Sequence, residues 1–237
     1  MILNSRELVS LVSRVFPDGL FFTATTEPLV ALTIDDVGDP STEIILDAIT
    51  QQNQIQSDSV RATFFITTDF LRGSYSILQK ILDQGHELGN HGVYDRAHAD
   101  LNPEEFEQEF QQAHQELVQN TTATLKWFRP ARGRYNKAML ESVRRIGGYY
   151  PQVALASMLP LDTYEFSYDP QFTARYVSRF IFPGSILVFH GGSEIRARNT
   201  AVALQQTLAY LQANRYRVVT LTDLFQVGTD CRSLMMT

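Results

Sequence analysis

The stretch Leu29-Val30-Ala31-Leu32-Thr33-Ile34-Asp35-Asp36 decides the reading of this chain. An apolar run of strand length ends in two adjacent carboxylates, with the turn residues Gly38, Asp39 and Pro40 close behind. A strand that delivers two like charges to one end is unfavourable unless a metal ion, a proton or a cationic side chain compensates them. The pair therefore reads in one of two ways. It caps the turn that follows, or it divides labour, one carboxylate ligating a cation and the other taking protons.

Outward from this run, short β-rich segments alternate with helical periods. Strands are predicted at 29–35, 60–66, 86–90, 125–129, 150–156, 185–190 and 216–220. Asp39-Pro40 opens a helix with Ile44, Ile45, Ala48 and Ile49 on its apolar face, and Asn102-Pro103 opens one with Phe106, Phe110, Ala113 and Leu117. Asn136 caps a third helix that Gly147 ends, Asp169-Pro170 opens a fourth, and Leu204, Leu208 and Leu211 mark the last. Strands alternating with helices imply right-handed crossovers and a parallel sheet, either a closed barrel or an open doubly wound sheet. No glycine-rich dinucleotide fingerprint follows the first strand, which disfavours a nucleotide-binding open sheet.

The totals fit one domain. The chain has 237 residues, 44% of them hydrophobic and 19% charged, enough for a sizeable core. A net charge of −6 argues against nucleic acid or an anionic membrane as partner. The single cysteine, Cys231, excludes an internal disulfide and suits a reducing compartment. Residues 1–28 read as an extension packed on a single domain at 29–237, with Leu8, Leu11, Val12 and Val15 on one face of an amphipathic helix. Arg6, Glu7 and Arg14 interrupt any signal-peptide pattern there, and no run reaches transmembrane length, so the cytoplasm is the expected location.

Chemistry in parallel α/β folds collects at the C-terminal ends of strands. The predicted strands deliver Asp35 and Asp36, then Asn90 and His91 followed by Asp95 and His98, then Arg129, then Asp162 a little beyond its strand, and then His190. Five strands thus bring carboxylate, imidazole and guanidinium groups to one rim. Asp36 and His91, with a further oxygen or nitrogen donor, suit a divalent ion such as zinc. Asp35 remains to take a proton, with Arg129 holding it ionised. His190 can return a proton to a leaving group, with Asp162 setting its tautomer or pKa. This is a plan for metal-assisted hydrolysis of a carbonyl compound.

These residues resemble the polysaccharide deacetylase family and its NodB homology domain. TIDD at 33–36 is similar to the first family motif, ATFFI at 62–66 and GHELGNH at 85–91 to its second strand and motif, and FRPARG at 128–133 to its third. Asp162 with Phe166 resembles the fourth motif, and VFH at 188–190 the fifth. The likeness spans roughly 29–225 in the family's order. It implies a distorted (β/α) barrel of seven or eight mostly parallel strands. It also implies a metal-dependent hydrolase that removes N-acetyl or O-acetyl groups from an acetylated sugar, using zinc or else cobalt, nickel, manganese or iron. By that resemblance Asp35 is the base, Asp36 and His91 are metal ligands, Arg129 orients Asp35, and His190 is the acid. The backbone N–H of Arg132 then serves the oxyanion, Val188 lines the acetyl methyl pocket, and Phe166 shields His190 and Asp162 from water.

The departures from the family pattern are specific. Asp95 stands where the family has the second histidine of His-x-x-x-His, which gives an Asp-His-Asp ligand set without an insertion; His98 becomes the third ligand if the loop carries three extra residues. Val37 interrupts the usual Asp-Asp-Gly-Pro, and Arg132 replaces an aromatic residue that faces sugar; the missing aromatic weakens the case for a long polysaccharide. His86, His114, Trp127, Tyr149 and Tyr150 are assigned to structure. Two alternatives to the deacetylase stand beside it. One is a hydrolase of a non-sugar amide or imide on the same fold; the other is a catalytically silent carbohydrate-binding protein, for which an acid and a base would be superfluous.

Overall fold

The run at 29–36 lies in the central strand of the molecule, Leu29–Val37, which is buried along its whole length. The computed structural model describes residues 4–55, 59–159, 161–163 and 169–234. Among them the strands are β1 (Gly19–Leu20), β2 (Leu29–Val37), β3 (Ala62–Ile66), β4 (Glu87–Asn90), β5 (Val153–Ala154), β6 (Ile186–His190) and β7 (Arg217–Val219). The helices are α1 (Ser5–Val15), α2 (Thr42–Ile55), α3 (Ser76–Asp83), α4 (Pro103–Gln119), α5 (Lys137–Ile146), α6 (Pro170–Phe180), α7 (Glu194–Ala213) and α8 (Leu221–Leu234).

Strand β2 pairs in parallel with β3, β6 and β7, and β3 pairs with β4. Single contacts close the ring. Asn90 bridges Phe128, the N–H of Ala154 donates to the Phe128 carbonyl, and the N–H of Ser157 donates to that of Ile186. With β1 laid along β5, the whole is a distorted (β/α) barrel.

Alternation along the strands sorts the side chains. Val30, Leu32 and Ile34 face outward with Leu187 and Phe189, against apolar residues of α2, α3 and α7. Leu29 and Ala31 face inward and fill the lumen with Phe65, Trp127, Ala154 and Ile186. The next inward layer toward the C-terminal rim is Thr33, Asp35, Val188 and His190, with Thr33 in register with Val188 and Asp35 with His190. The lumen is thus apolar below and polar at one end.

Local signals explain most helices. Asn102 and Glu105 form a reciprocal capping box ahead of Pro103, and Asp169 caps α6 ahead of Pro170. Asn136 accepts from the Met139 N–H at the start of α5, which ends at Gly147. Two predicted strands contract: 125–129 makes one bridge, and 150–156 pairs only at Val153–Ala154. Pro130 and Pro151 remove the donors that longer ladders need. Helix α3 has no side-chain cap, whereas α8 has a local one, the Thr220 hydroxyl accepting the Asp223 N–H at 3.2 Å, and is capped from other elements as well. Helix α1 forms with its own capping box, none of its residues is buried, and Leu8, Leu11, Val12 and Val15 are exposed. Among the described residues no helix is long and apolar enough to cross a membrane.

Candidate active site

Neighbouring residues on a regular strand point to opposite faces, so Asp35 and Asp36 could not both enter one cleft from an unbroken β2. The β2–β3 register shifts between Ile34 and Val37, and Asp36 adopts a left-handed φ of 54°. This bulge turns both carboxylates to the same side, at the expense of backbone strain of ~1–3 kcal/mol. The chain after His190 leaves room for it. A Cβ on Gly191 would lie 2.8 Å from Cγ1 of Val37, and one on Gly192 would lie 3.2 Å from the Asp36 carbonyl oxygen.

Arg129 fixes Asp35. Its Nη1 lies 2.6 Å from Oδ1 of Asp35 and 2.7 Å from Oγ1 of Thr33. Its Nε and Nη2 donate to the carbonyls of Ala154 and Leu155 at 3.3 and 3.0 Å, and its guanidinium lies 4.2 Å from the centroid of the Phe65 ring. A buried guanidinium with this many partners is a fixture that keeps its carboxylate in place.

His91 is oriented from behind. Nδ1 lies 2.8 Å from the carbonyl oxygen of Arg129, which can only accept, so Nδ1 carries a proton. Nε2 then faces Oδ1 of Asp36 at 3.4 Å and Oδ2 of Asp35 at 4.0 Å. Burial opposes a charge on this imidazole, yet the two carboxylates raise its pKa. Burial likewise pushes Asp36 up, but its hydrogen bond to His91 and the charges of His91, His190 and Arg196 bring it down to about 2. A position that draws a proton this way draws a metal cation as well, and a carbonyl behind the imidazole is the usual support of a ligating histidine.

His190 ends β6 beside Asp35. Its Nδ1 lies 3.1 Å from both carboxylate oxygens of Asp162, and its backbone N–H donates to the same group at 2.9 Å. Burial would lower its pKa, but Asp162, with further help from Asp35 and Asp36, raises it to about 9. Asp162 thus favours the protonated form of His190.

The third donor is less closely placed. Asp95 lines the same cleft as Asp36 and His91, but its Oδ1 lies 3.6 Å from Nη2 of Arg132. His98 is buried, accepts from the Ala131 N–H at Nδ1 (3.1 Å) and turns Nε2 to the Tyr94 carbonyl at 3.3 Å. Among the described residues no three histidine, cysteine or acidic side chains converge closely enough to hold an ion. Asp36 and His91 fit a divalent ion as donors, whereas Asp95 is paired with Arg132.

Asp35, Asp36, His91, Asp95, Arg129 and His190 line an open cleft of about 510 Å³. Val188 and Arg132 line it too, with Arg132 at φ 63° in the tight turn Ala131–Gly133. Phe166 lies outside the described residues. Among the residues assigned to structure, Trp127 fills the lumen with Tyr150 packed on it, and His114 meets the Tyr149 hydroxyl at 2.9 Å. His86 accepts from the Ala62 N–H. Sequence reasoning missed the apolar wall of Phe21, Leu155, Met158 and Leu159, and it missed Arg196, whose Nη1 lies 3.4 Å from Oδ2 of Asp36. Arg196 had a legible signal. Ser193 caps α7 directly after β6, which puts the first turn of that helix at the rim.

Two carboxylates on a bulge, an imidazole after β4, an arginine after the next segment and a histidine ending β6 form an ordered constellation, and a profile described as polysaccharide deacetylase matches residues 23–151. The chain belongs to the polysaccharide deacetylase family. One relative is the peptidoglycan-N-acetylmuramic acid deacetylase PdaA of Bacillus subtilis, 24% identical over 231 residues, covering 92% of this chain and 79% of that protein. Against the uncharacterised protein YlxY of Bacillus subtilis the identity is 23% over 72% of this chain, and the match spans half of YlxY. Among solved structures, the Bc1960 peptidoglycan N-acetylglucosamine deacetylase superposes with a TM-score of 0.77 at 24% identity, over 90% of this chain and 96% of that one. A family 4 acetyl xylan esterase of Clostridium thermocellum in complex with a cobalt ion gives 0.72 at 25% identity, over 84% and 91%. The deacetylase-family barrel is thus common to all of these structures.

Proposed function

We propose that this member of the family is a metal-dependent deacetylase of an N-acetylated sugar, acting at the cleft of Asp35, Asp36, His91, Arg129 and His190. The observation that carries the reading is the opposition of a fixed carboxylate, Asp35 on Arg129, to an imidazolium, His190 on Asp162, across neighbouring strands. The names of relatives that act on peptidoglycan support an amino-sugar polymer as the substrate class.

Asp36 and His91 would hold the ion, with Asp95 as third donor; zinc suits this oxygen and nitrogen set. A bound divalent ion supplies Lewis acidity that polarises the acetyl carbonyl. Asp35 takes a proton from the attacking water, and Arg129 keeps it aligned for that step. The Nδ1–H of His190 is held by Asp162, so Nε2 delivers its proton to the departing amine nitrogen, and acetate and the free amine result. Val188 bounds the space for the acetyl methyl, and the backbone N–H of Arg132 faces the developing oxyanion.

The deciding experiment follows acetate release from chitooligomers and peptidoglycan fragments by protein stripped with a chelator and reconstituted with zinc. Release that disappears with the metal and returns with it is the expected result. Release indifferent to chelation would remove the metal from the mechanism while keeping the sugar as substrate, and no release together with no zinc binding would favour the non-sugar amide or the silent-binder alternative.

A further inference from the structure

The amphipathic helix α1 is turned the opposite way from an ordinary surface helix. Its polar edge, Ser5, Ser10 and Ser13, is half-buried together with Val9. The apolar stripe faces water: Leu8 is 55% exposed, Leu11 47%, Val12 36% and Val15 71%, and Phe16 just past the helix is 50% exposed. Leu8, Leu11, Val12 and Val15 recur at intervals of three and four, so they form one continuous face. A helix in water turns such a face inward unless something else covers it, and contiguous apolar patches mark contact sites.

The charges beside this face point to its partner. Glu7 and Arg14 are two helical turns apart and flank the stripe on the same side, next to Leu11. Neither is fully paired within the chain. One carboxylate oxygen of Glu7 accepts the Asn4 N–H at 2.9 Å in the capping box, which leaves the other, and among the described residues Arg14 has no partner. A two-fold axis that runs two copies of α1 antiparallel keeps each flank on its own side and reverses the order along it. Glu7 of each copy then meets Arg14 of the other. Leu11 meets its own copy near the axis, and Leu8 lies between Val12 and Val15 of the second copy. In a parallel pair the two charged flanks lie on opposite sides and do not meet. An anionic lipid surface would repel Glu7, and the net charge of −6 opposes that approach.

We propose that α1 is a self-association surface, along which two copies of this chain pair antiparallel through the stripe from Leu8 to Val15, with reciprocal Glu7–Arg14 contacts fixing the register. The five exposed apolar side chains offer roughly 450 Å² per copy and about 900 Å² for the pair, at the transient end of the scale for specific interfaces. An open groove of about 470 Å³ borders the same flank, where Phe22 and Ala24 face Leu11 and Arg14, and it gives side chains of the second copy room. Apolar contact supplies the affinity, and the charges select the antiparallel arrangement.

Sedimentation velocity on the full chain tests this. The expected result is a monomer at about 1 μM and a dimer taking over near about 100 μM, the affinity suited to so small an interface. Leu11→Asp should weaken the dimer by at least about tenfold, whereas Ile195→Asp, at a 73% exposed position of α7, should leave it unchanged. Arg14→Glu should weaken it by about fivefold or more, because it sets like charges against each other, and Glu7→Arg combined with Arg14→Glu should restore wild-type association. No residue of α1 is buried, so the barrel should stay folded in each variant, with circular dichroism as the check. A monomer at every concentration, a dimer indifferent to Leu11→Asp, or a double variant as weak as Arg14→Glu overturns the proposal. So does a monomer that floats with phosphatidylglycerol vesicles and ceases to do so in Leu11→Asp, which would give the face to a lipid surface.

Discussion

The two ends of the barrel each hold buried ionisable groups, and only one of them looks like a site. At the C-terminal rim, Asp36, His91 and His190 have displaced pKa values and line the cleft. At the opposite end, burial raises the pKa of Glu87 and lowers that of His86 to about 4. Glu87 accepts from the Thr63 hydroxyl at 2.7 Å and from the backbone N–H of Thr222 at 3.2 Å, and it also bonds the Thr222 hydroxyl. Thr63 in turn receives the Leu221 N–H at 2.8 Å, so the cluster closes the N-terminus of α8 onto the barrel floor. Similar burial thus has two meanings. At the floor, Glu87, Thr63 and Thr222 satisfy one another and a helix end, and none of them lines the cleft. At the rim, they are arranged as unlike pairs beside open volume, with one lone pair or proton in each pair left to meet a ligand.

Substitutions at the two ends should separate them most sharply in turnover. Asp36→Ala and His91→Ala should lose bound zinc and nearly all activity, and Asp35→Asn should keep zinc while losing about 10²–10⁴ in kcat. Glu87→Gln, with a comparably buried acid removed, should turn over normally; a floor variant as inactive as a rim variant would erase the distinction.

The pH dependence gives the next largest contrast. His190 acts as an acid while protonated, so activity should fall as pH rises through about 9, and Asp162→Asn should shift that alkaline limb to lower pH. Linkage gives a matching sign for stability. The pKa is raised on folding, so the stabilising contribution of His190 is complete below about 6.5 and is lost as pH rises through about 9. Asp36 behaves oppositely, contributing fully above its ordinary 3.8 and losing that contribution as pH falls through about 2. Denaturant titrations of wild type and Asp162→Asn at pH 6 and pH 10 test this, and parallel pH profiles for the two proteins would refute it.

A third comparison lies within one loop. Asp95→Ala should weaken zinc by at least about tenfold with little change in stability. His98→Ala should keep zinc and lose about 2 kcal/mol of stability, because it leaves the Ala131 N–H without its acceptor and opens space against Phe106 and Phe128. The reverse pattern would transfer the third-ligand role to His98. Smallest of all is the stability change for Glu87→Gln, expected within about 1 kcal/mol by chemical denaturation, since an amide carbonyl can still accept from the threonines.

Much of this protein could be read without coordinates where the chain carries its own instructions. The run at 29–36, the caps Asn102, Asn136 and Asp169, and the alternation of strands with helices are local patterns, and each fixes local structure through hydrogen bonds or side-chain periodicity. They were enough for a parallel α/β fold and for the polar residues at one rim, while the closed barrel came from the family resemblance. What the sequence could not state is how neighbouring residues face. The left-handed turn at Asp36 depends on glycines 155 and 156 residues further on, and the tautomer of His91 depends on a carbonyl from another segment. The pairing of Asp36 with Arg196, the burial of His98 and the capping of α8 by Glu87 likewise join residues that no spacing rule connects. Sequence determined which chemical groups reach the rim. Tertiary structure alone decided which groups are paired, because pairing depends on distances of a few ångströms between elements, and packing sets those distances.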